Sequence, residues 1–350
     1  CSMVDSSRRS EQRQSEEICL SIVLPVFNEV EILETLVAAV EEAVVAAGCR
    51  HEIVFVDDGS KDGSGELLDR IAAENPYVRV VHFSRNFGHQ AALQAGLLHA
   101  SGDAVVVMDS DMQDDPASIP DFLQHWREGA DVVYAVRCGR KEGPIKRLLF
   151  YAFYRMLNMV SAIPIPMDAG NFGLIDRSVA IEVSHLHDRD RYYPGLRRWV
   201  GFRQVGVTVE RLSRHDDQPR VGFWQLVRLA KAAIFSFSSL PLTVFYLIAA
   251  ISILVCVSLS AFALYHRIFT GEAIPGWTSM TITASFFGAI NALGIGVLGE
   301  YVVRIYDQVR ARPQFIVSSR TNFSDARPTI AALLPSSQQL ATERATLLDP

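Results

Sequence analysis

In VVVMDSDMQDDP, residues 105–116, an apolar run ends by crowding Asp109, Asp111, Asp114 and Asp115 together. Carboxylates a few ångströms apart either raise one another's pKa or recruit a cation between them. Asp109 and Asp111 are separated by one residue, so both side chains leave on the same side as a strand runs out. Their hard oxygens suit Mg2+ or Mn2+, and Mg2+ commonly bridges a few carboxylates to the phosphates of a substrate. The expected chemistry is a divalent metal held by Asp109 and Asp111, with a diphosphate held by the metal. An Asp-x-Asp pair is common on protein surfaces. Position gives this one weight, because it closes a buried strand downstream of a second acidic strand end, VDDGS at 56–60.

The elements that must position these acids alternate along the chain. LSIVLPVF (20–27) is an apolar run rich in Ile and Val, and an amphipathic segment from Val30 to Ala47 follows it. The pattern repeats with EIVFVDD (52–58) and a helix around 64–74, then VRVVHFS (78–84), a helix at 88–100, and AVVVMDS (104–110). Apolar runs separated by helices predict an α/β domain whose mostly parallel sheet is covered on both faces. Ligands of such sheets bind at the carboxyl ends of the strands. There the first, second and fourth strands bring Asn28-Glu29, Asp57-Asp58 and Asp109-Ser110-Asp111.

Composition varies along the chain. Residues 1–17 are polar and read as a disordered tail, 18–222 as the globular domain, 223–240 as an interfacial amphipathic helix, 302–318 as a post-membrane segment and 319–350 as a flexible tail. Two apolar segments, 241–265 and 273–301, are each longer than the roughly 20 residues that cross a hydrocarbon core, which predicts a two-helix hairpin in the membrane. Arg220, Arg228 and Lys231 precede it and Arg304, Arg310 and Arg312 close it, so the positive-inside rule puts the large domain and both termini in the cytoplasm. No cleavable signal peptide is expected ahead of the domain. Gly294, Gly296 and Gly299 permit close helix approach and suggest a homo-oligomer, with a tetramer as one option. A formal net charge of −6 excludes a generally basic nucleic-acid binder. Five cysteines without a CxxC pair fit core thiols in a reduced compartment.

LPVFNE, VFVDDGSKDGS, SRNFGHQAALQAGL, DSDMQDDP and DVVYAVR, in this order, resemble the inverting family 2 glycosyltransferases of the GT-A (nucleotide-diphospho-sugar transferase) fold. MDAGNFGLIDR, WVGFRQ, SFSSLPL and GVLGEYVVRIYDQVRARPQFIV narrow the resemblance to the membrane-anchored branch that loads sugars onto polyprenyl phosphate, similar to bactoprenol glucosyltransferases and formamido-arabinose transferases. The resemblance spans roughly residues 18–317.

It implies that Pro25, Asn28, Glu29, Asp57 and Asp58 hold the base and ribose of a UDP-sugar, with Arg85 lining the donor site. Asp109, Asp111 and Gln113 fall at the metal and diphosphate position, where Asp111 is also a catalytic candidate. Arg137, Lys146 and Arg147 match the basic positions that receive the acceptor phosphate, and Asp168 the candidate base or sugar-contacting acid. Arg191, Arg198, Trp199 and Arg220 fall on a later segment expected to close over donor and acceptor. Pro194-Gly195 and DDQPRV (216–221) depart from the family pattern, which leaves the sugar open. His89-Gln90 replaces a commoner Lys-Glu, and His89 reads as a helix-surface residue.

These resemblances imply single displacement by the phosphate of a polyprenyl lipid at the cytoplasmic face of a bacterial inner membrane. A phosphate monoester is largely a dianion at neutral pH, so it needs little help from a base. Alternatives are another sugar (formamido-arabinose, mannose or an N-acetylhexosamine), a processive polysaccharide synthase, weakened by Gly195 where LRRW (196–199) would need a preceding glutamine, and a non-catalytic membrane scaffold.

Overall fold

A computed structural model describes residue 13 and residues 18–138, 169–186, 188, 191–210, 240–269, 276–310, 312–323 and 329–333. The chain divides into two compact units, one of residues 1–148, 165–219 and 313–350, the other of residues 149–164 and 220–312.

The first unit is built on eight strands: β1 (Cys19–Val26), β2 (Arg50–Asp57), β3 (Val78–Phe83), β4 (Ala104–Val107), β5 (Val132–Cys138), β6 (Ala169–Asp176), β7 (Gln204–Glu210) and β8 (Val317–Thr321). They form one sheet in the order β7-β5-β6-β4-β1-β2-β3-β8. β1 pairs in parallel with β2 and β4, β2 with β3, and β5 with β7, whereas β6 and β8 run antiparallel to their neighbours. The parallel strands are linked by α1 (Leu33–Ala47), α2 (Ser64–Glu74) and α3 (His89–His99). After β4 come α4 (Ile119–Arg127), α5 (Arg177–His185) and α6 (Tyr193–Trp199).

Both faces of the central strands are buried, and the period of two decides what each residue meets. Leu20, Ile22, Leu24, Ile53, Phe55, Ala104 and Val106 pack against α1, α2 and α4. Val23, Val54, Val105 and Val107 pack on the other side with Leu93 and Leu97 of α3 and Val179 and Val183 of α5. The expected order of strands and helices is what the structure has. Two boundaries move: β4 stops at Val107 instead of 110, and α1 starts at Leu33 after a turn closed by Ile32 N–H on the Glu29 carbonyl.

The chain returns to this unit after its apolar helices. β8 pairs with β3, Phe315 stacks on Phe83 at 4.9 Å between ring centroids, and a short helix, α9 (Ile330–Leu333), buries Ile330. Part of the segment expected as a flexible tail is thus strand and helix. Arg13, from the stretch expected to be disordered, is also buried. It donates to the carbonyls of Trp126 and Ala130 and pairs with Asp131 (3.0 Å) and Asp176 (2.7 Å). Backbone acceptors that composition does not reveal hold it there.

The second unit contains helices α7 (Leu240–Phe269) and α8 (Trp277–Val309), which number α9 after them in chain order. They touch where Phe245 lies on Gly294: a Cβ on that glycine would sit 2.0 Å from the ring. Among the described residues, one segment, Phe286–Val309, is long and apolar enough to cross a membrane, and the apolar stretch in α7 is the shorter Phe245–Val255.

Candidate active site

Because β1, β2 and β4 are parallel, their carboxyl ends share one edge of the sheet. The chain runs outward from β1 through β2 to β3, then crosses back to place β4 on the other side of β1. That reversal is a topological switch point, the position where open α/β sheets bind ligands. Asn28 and Glu29 follow β1, Asp57 and Asp58 close β2, and Asp109 and Asp111 follow β4.

The loops after β1 and β2 are tied into one piece. Asn28 adopts a positive φ of 55°, and its backbone N–H donates to Ser60 Oγ at 3.0 Å while its Oδ1 accepts from Lys61 N–H at 2.8 Å. Glu29 N–H donates to Ser64 Oγ, and Val30 N–H to Asp62 Oδ2. Asp57 Oδ1 accepts from Ser60 N–H at 2.9 Å, and its Oδ2 lies 3.1 Å from His82 Nδ1. Burial alone would raise the Asp57 pKa, but hydrogen bonds from His82 and Ser60 outweigh it and hold the carboxyl below its ordinary range. His82 is raised in turn, mainly by its hydrogen bond to Asp57 and then by Asp69, against the pull of burial.

Asp58 faces the loop after β3. Its two oxygens accept from Phe87 N–H (2.6 Å) and Gly88 N–H (2.9 Å). Burial raises its pKa, with the two backbone donors opposing. Gly59 makes this approach possible: its φ is +71°, and a Cβ there would meet the Arg85 carbonyl carbon at 2.6 Å. Arg85 itself lies over the Phe87 ring at 4.1 Å and donates to the Asn86 carbonyl.

Beside Asp109 stand two residues from other elements. β6 runs antiparallel to β4 with Gly173 opposite Val107, which carries Asn171 past the end of β4. Asn171 Nδ2 donates to Asp109 Oδ1 at 3.3 Å, and His89 Nε2, at the start of α3, lies 3.2 Å from the same oxygen. Burial lowers the His89 pKa, but the hydrogen bond to Asp109 and the nearby acidic charges outweigh it and the net direction is upward. His89 therefore sits against the acid pair and is not simply a surface residue of its helix. Asp111 Oδ1 accepts from Gln113 N–H at 3.3 Å, with Met112 between them at a φ of 57°. Gln113 is buried.

No group of three or more His, Cys, Asp or Glu that could enclose a metal occurs among the described residues. The donor set at the end of β4 is of the kind that would suit a cation shared with a ligand: Asp109 and Asp111 offer hard oxygens, and phosphate and water would supply the rest.

Of the other expected residues, Pro25 is buried within β1 and paired with Val56, so it shapes the strand end. Arg137 lies in β5 by its backbone. Lys146, Arg147, Asp168 and Arg220 fall outside the described residues. Arg191 caps α5, donating to the carbonyls of Leu186 and Val183, and burial lowers its pKa to about 10. Arg198 and Trp199 end α6, the latter 56% exposed. Next to them, Arg197 is 2% exposed. It lies 5.1 Å from the Tyr134 ring centroid and 5.5 Å from that of Tyr193, and Nη2 reaches the Gly170 carbonyl at 3.4 Å. Among the described residues its Nε and Nη1 have no partner at ordinary hydrogen-bond geometry, and burial lowers its pKa against the opposing influence of Tyr193.

Residues 21–184 match the model of Glycosyl transferase family 2. Over 300 residues the chain is 38% identical to an uncharacterised glycosyltransferase of Synechocystis sp., covering 85% of this chain and 94% of that one. The chain belongs to glycosyltransferase family 2. It is also 36% identical to the bactoprenol glucosyl transferase of Shigella phage SfX, over 86% of this chain and 99% of the phage protein. Among solved structures it is similar to the glucosyl-3-phosphoglycerate synthase of Mycobacterium tuberculosis, determined with Mn2+, uridine diphosphate and phosphoglyceric acid, at a TM-score of 0.42 and 21% identity over 65% of this chain and 78% of that one. The matched family 2 segment contains the whole rim, from Asn28 through Asp109 to Asn171, while Arg197 lies beyond it.

His82, Asn171 and Arg197 did not emerge from the sequence as functional candidates. Asn171 stands inside the MDAGNFG motif and was within reach. His82 and Arg197 gain their settings from α2, β6 and β8, whose positions only the fold reveals.

Proposed function

We propose that this family 2 glycosyltransferase moves a sugar, with glucose favoured, from a UDP-sugar to undecaprenyl or a similar polyprenyl phosphate at the cytoplasmic membrane face, inverting the anomeric centre. The supporting observation is the 36% identity to bactoprenol glucosyl transferases over 97% to 99% of their length, together with the acidic rim at the switch point.

Asn28, Glu29 and the 57–61 turn would receive the nucleotide, with Pro25 shaping the strand end and Arg85 at its margin. Asp109 and Asp111 would hold Mg2+ or Mn2+, which when bound draws charge from the departing diphosphate. Asn171 and His89 fix the Asp109 carboxylate, which favours a preorganised site. Gln113 is proposed beside the diphosphate. Arg137, Lys146, Arg147, Arg198 and Arg220 would neutralise the acceptor phosphate and hold it in line with the anomeric carbon. Asp168 would orient the sugar or the phosphate. A pH–rate profile that follows a carboxyl pKa and loses it in Asp168→Asn would contradict that role. Two membrane spans, α7 and α8, would bring the site to the lipid head group.

The test is to incubate membranes with a panel of radiolabelled UDP-sugars, a divalent metal and polyprenyl phosphate. Label entering the organic phase supports the proposal, and its loss in chelator and in Asp109→Ala/Asp111→Ala, by about 10²-fold or more, supports the roles given to those acids. Label in long water-soluble polymer would indicate a processive synthase. Turnover with no donor would indicate a scaffold.

A further inference from the structure

Behind the proposed nucleotide side of the rim, a polar chain leads from buried Asp57 through His82 and an exposed Asp69 to the strand that follows the apolar helices. His82, on β3, is 9% exposed. Its Nδ1 lies 3.1 Å from Asp57 Oδ2 and its Nε2 lies 3.1 Å from Asp69 Oδ1 on α2. Thr321, on β8, donates its hydroxyl to that same Asp69 oxygen at 2.7 Å. A second bond joins the elements, from Ser318 Oγ to the His82 carbonyl at 3.0 Å. The space is filled: a Cβ on Gly65 would lie 3.0 Å from Asp57 Oδ2 and 3.6 Å from the His82 ring.

The chain continues toward the site. Asp57 fixes Ser60 through its N–H, Ser60 Oγ fixes the N–H of Asn28, and Asn28 Oδ1 fixes Lys61. Two carboxylates flank one imidazole, and both ring nitrogens face oxygen. The imidazolium form satisfies both contacts as a donor, whereas a neutral ring can donate to only one. A buried Asp57 anion needs such a donor, since an unpaired buried charge is heavily penalised.

We propose that His82 is a positioning residue for the donor nucleotide: clamped by Asp69 and Thr321, it sets the Asp57 carboxylate and through it the joined Asn28 and 57–61 loops. β8 thereby becomes a working part of the nucleotide half although it lies more than 200 residues downstream of β3. The inference rests on the proposal that this rim takes a nucleotide, and it adds the parts that act from behind the rim.

The experiment compares full-length wild type, His82→Leu, His82→Gln and Thr321→Val in detergent. It measures binding of a nucleotide panel (UDP, GDP, CDP) by calorimetry, and steady-state kinetics with the donor that turns over. His82→Leu should weaken the nucleotide that wild type holds by about tenfold and raise the donor KM equally, with kcat and the acceptor KM within about twofold. His82→Gln, which can still donate to one carboxylate, should recover part of the loss. Thr321→Val should raise the donor KM by about twofold to fivefold. Because Thr321 is at an edge strand, this variant keeps the test open if the His82 variants fail to fold. Nucleotide affinities and donor KM equal to wild type in Thr321→Val, or in a folded His82→Leu, would overturn the inference alone. A wild type that holds no nucleotide would overturn the donor assignment and this inference with it.

Discussion

Arg197 has a guanidinium that is 2% exposed, with two nitrogens unpartnered and no carboxylate paired to it among the described residues. Two tyrosine rings and one long contact to a carbonyl offset little of the desolvation of a full charge. An apolar chain of similar length should therefore be tolerated better: Arg197→Met is expected to raise the melting temperature of ligand-free protein by about 2–4 °C in scanning calorimetry. A fall would mean that the charge has a stabilising partner. His82 makes the opposite prediction. Its pKa is raised in the folded state, so the stability it contributes is fully present below its unfolded value and is lost as pH rises through the folded one. The urea midpoint of wild type should exceed that of His82→Gln clearly at pH 6, and the gap should narrow by pH 9. Asp57, whose pKa is depressed, works at the other end: its contribution is present above its unfolded value and disappears as pH falls through the folded one. Sequence made the acids of the rim legible because a strand end followed by Asp-x-Asp is a local pattern. It left His82 and Arg197 out because their neighbours come from β8, and from β5 and β6, and no local period encodes which strands will pair.

Among the elements, the parallel core could be read from β1 to β4 because buried strands and amphipathic helices carry different periods. β6, inside the sheet, and β8, at its edge, could not, since antiparallel pairings depend on how distant segments meet. The closest approach in the core is also invisible in the sequence. α3 sits so near β1 that a Cβ on Gly96 would lie 2.2 Å from Val23 Cγ1, and Val23 is itself fully buried between strands. A methyl at this point has to push α3 off the sheet, and α3 begins at His89 beside Asp109. Gly96→Ala is expected to cost about 1–3 kcal/mol by urea denaturation and to lower turnover by more than the fraction unfolded explains. Retained stability and activity would show that the sheet yields easily there. On the other face, Phe122 of α4 meets Phe172 of β6 edge-on at 4.9 Å, both fully buried. Phe122→Ala should remove about 3–5 kcal/mol by leaving a cavity under the strand that carries Asn171.

At the scale of the whole molecule, β8 constrains the path of the chain. β3 precedes the apolar helices and β8 follows them, yet the two are hydrogen-bonded neighbours in one sheet. A sheet cannot be shared across a bilayer, so the chain between Phe83 and Val317 must cross any membrane an even number of times. The Phe286–Val309 segment, about 36 Å long at 1.5 Å per residue, is sufficient for one crossing, and a crossing there requires a second. The two-span reading proposed above gives that crossing to α7, on which Tyr246, Leu247, Ile251, Ile253 and Leu254 are all more than half exposed. Under that proposal the positive-inside rule assigns the basic residues before α7 and after α8 to the cytoplasm. Single cysteines introduced as Glu74→Cys, Glu272→Cys and Ser336→Cys, with the five native cysteines replaced, test this. In spheroplasts a membrane-impermeant maleimide should label Glu272→Cys at once, and the other two only after lysis. If the Glu74 and Glu272 positions label together and opposite to Ser336, the chain crosses once and the β3–β8 pairing cannot hold in the membrane-bound protein. If all three require lysis, both helices lie on the cytoplasmic side, and the acceptor lipid must be met without a span.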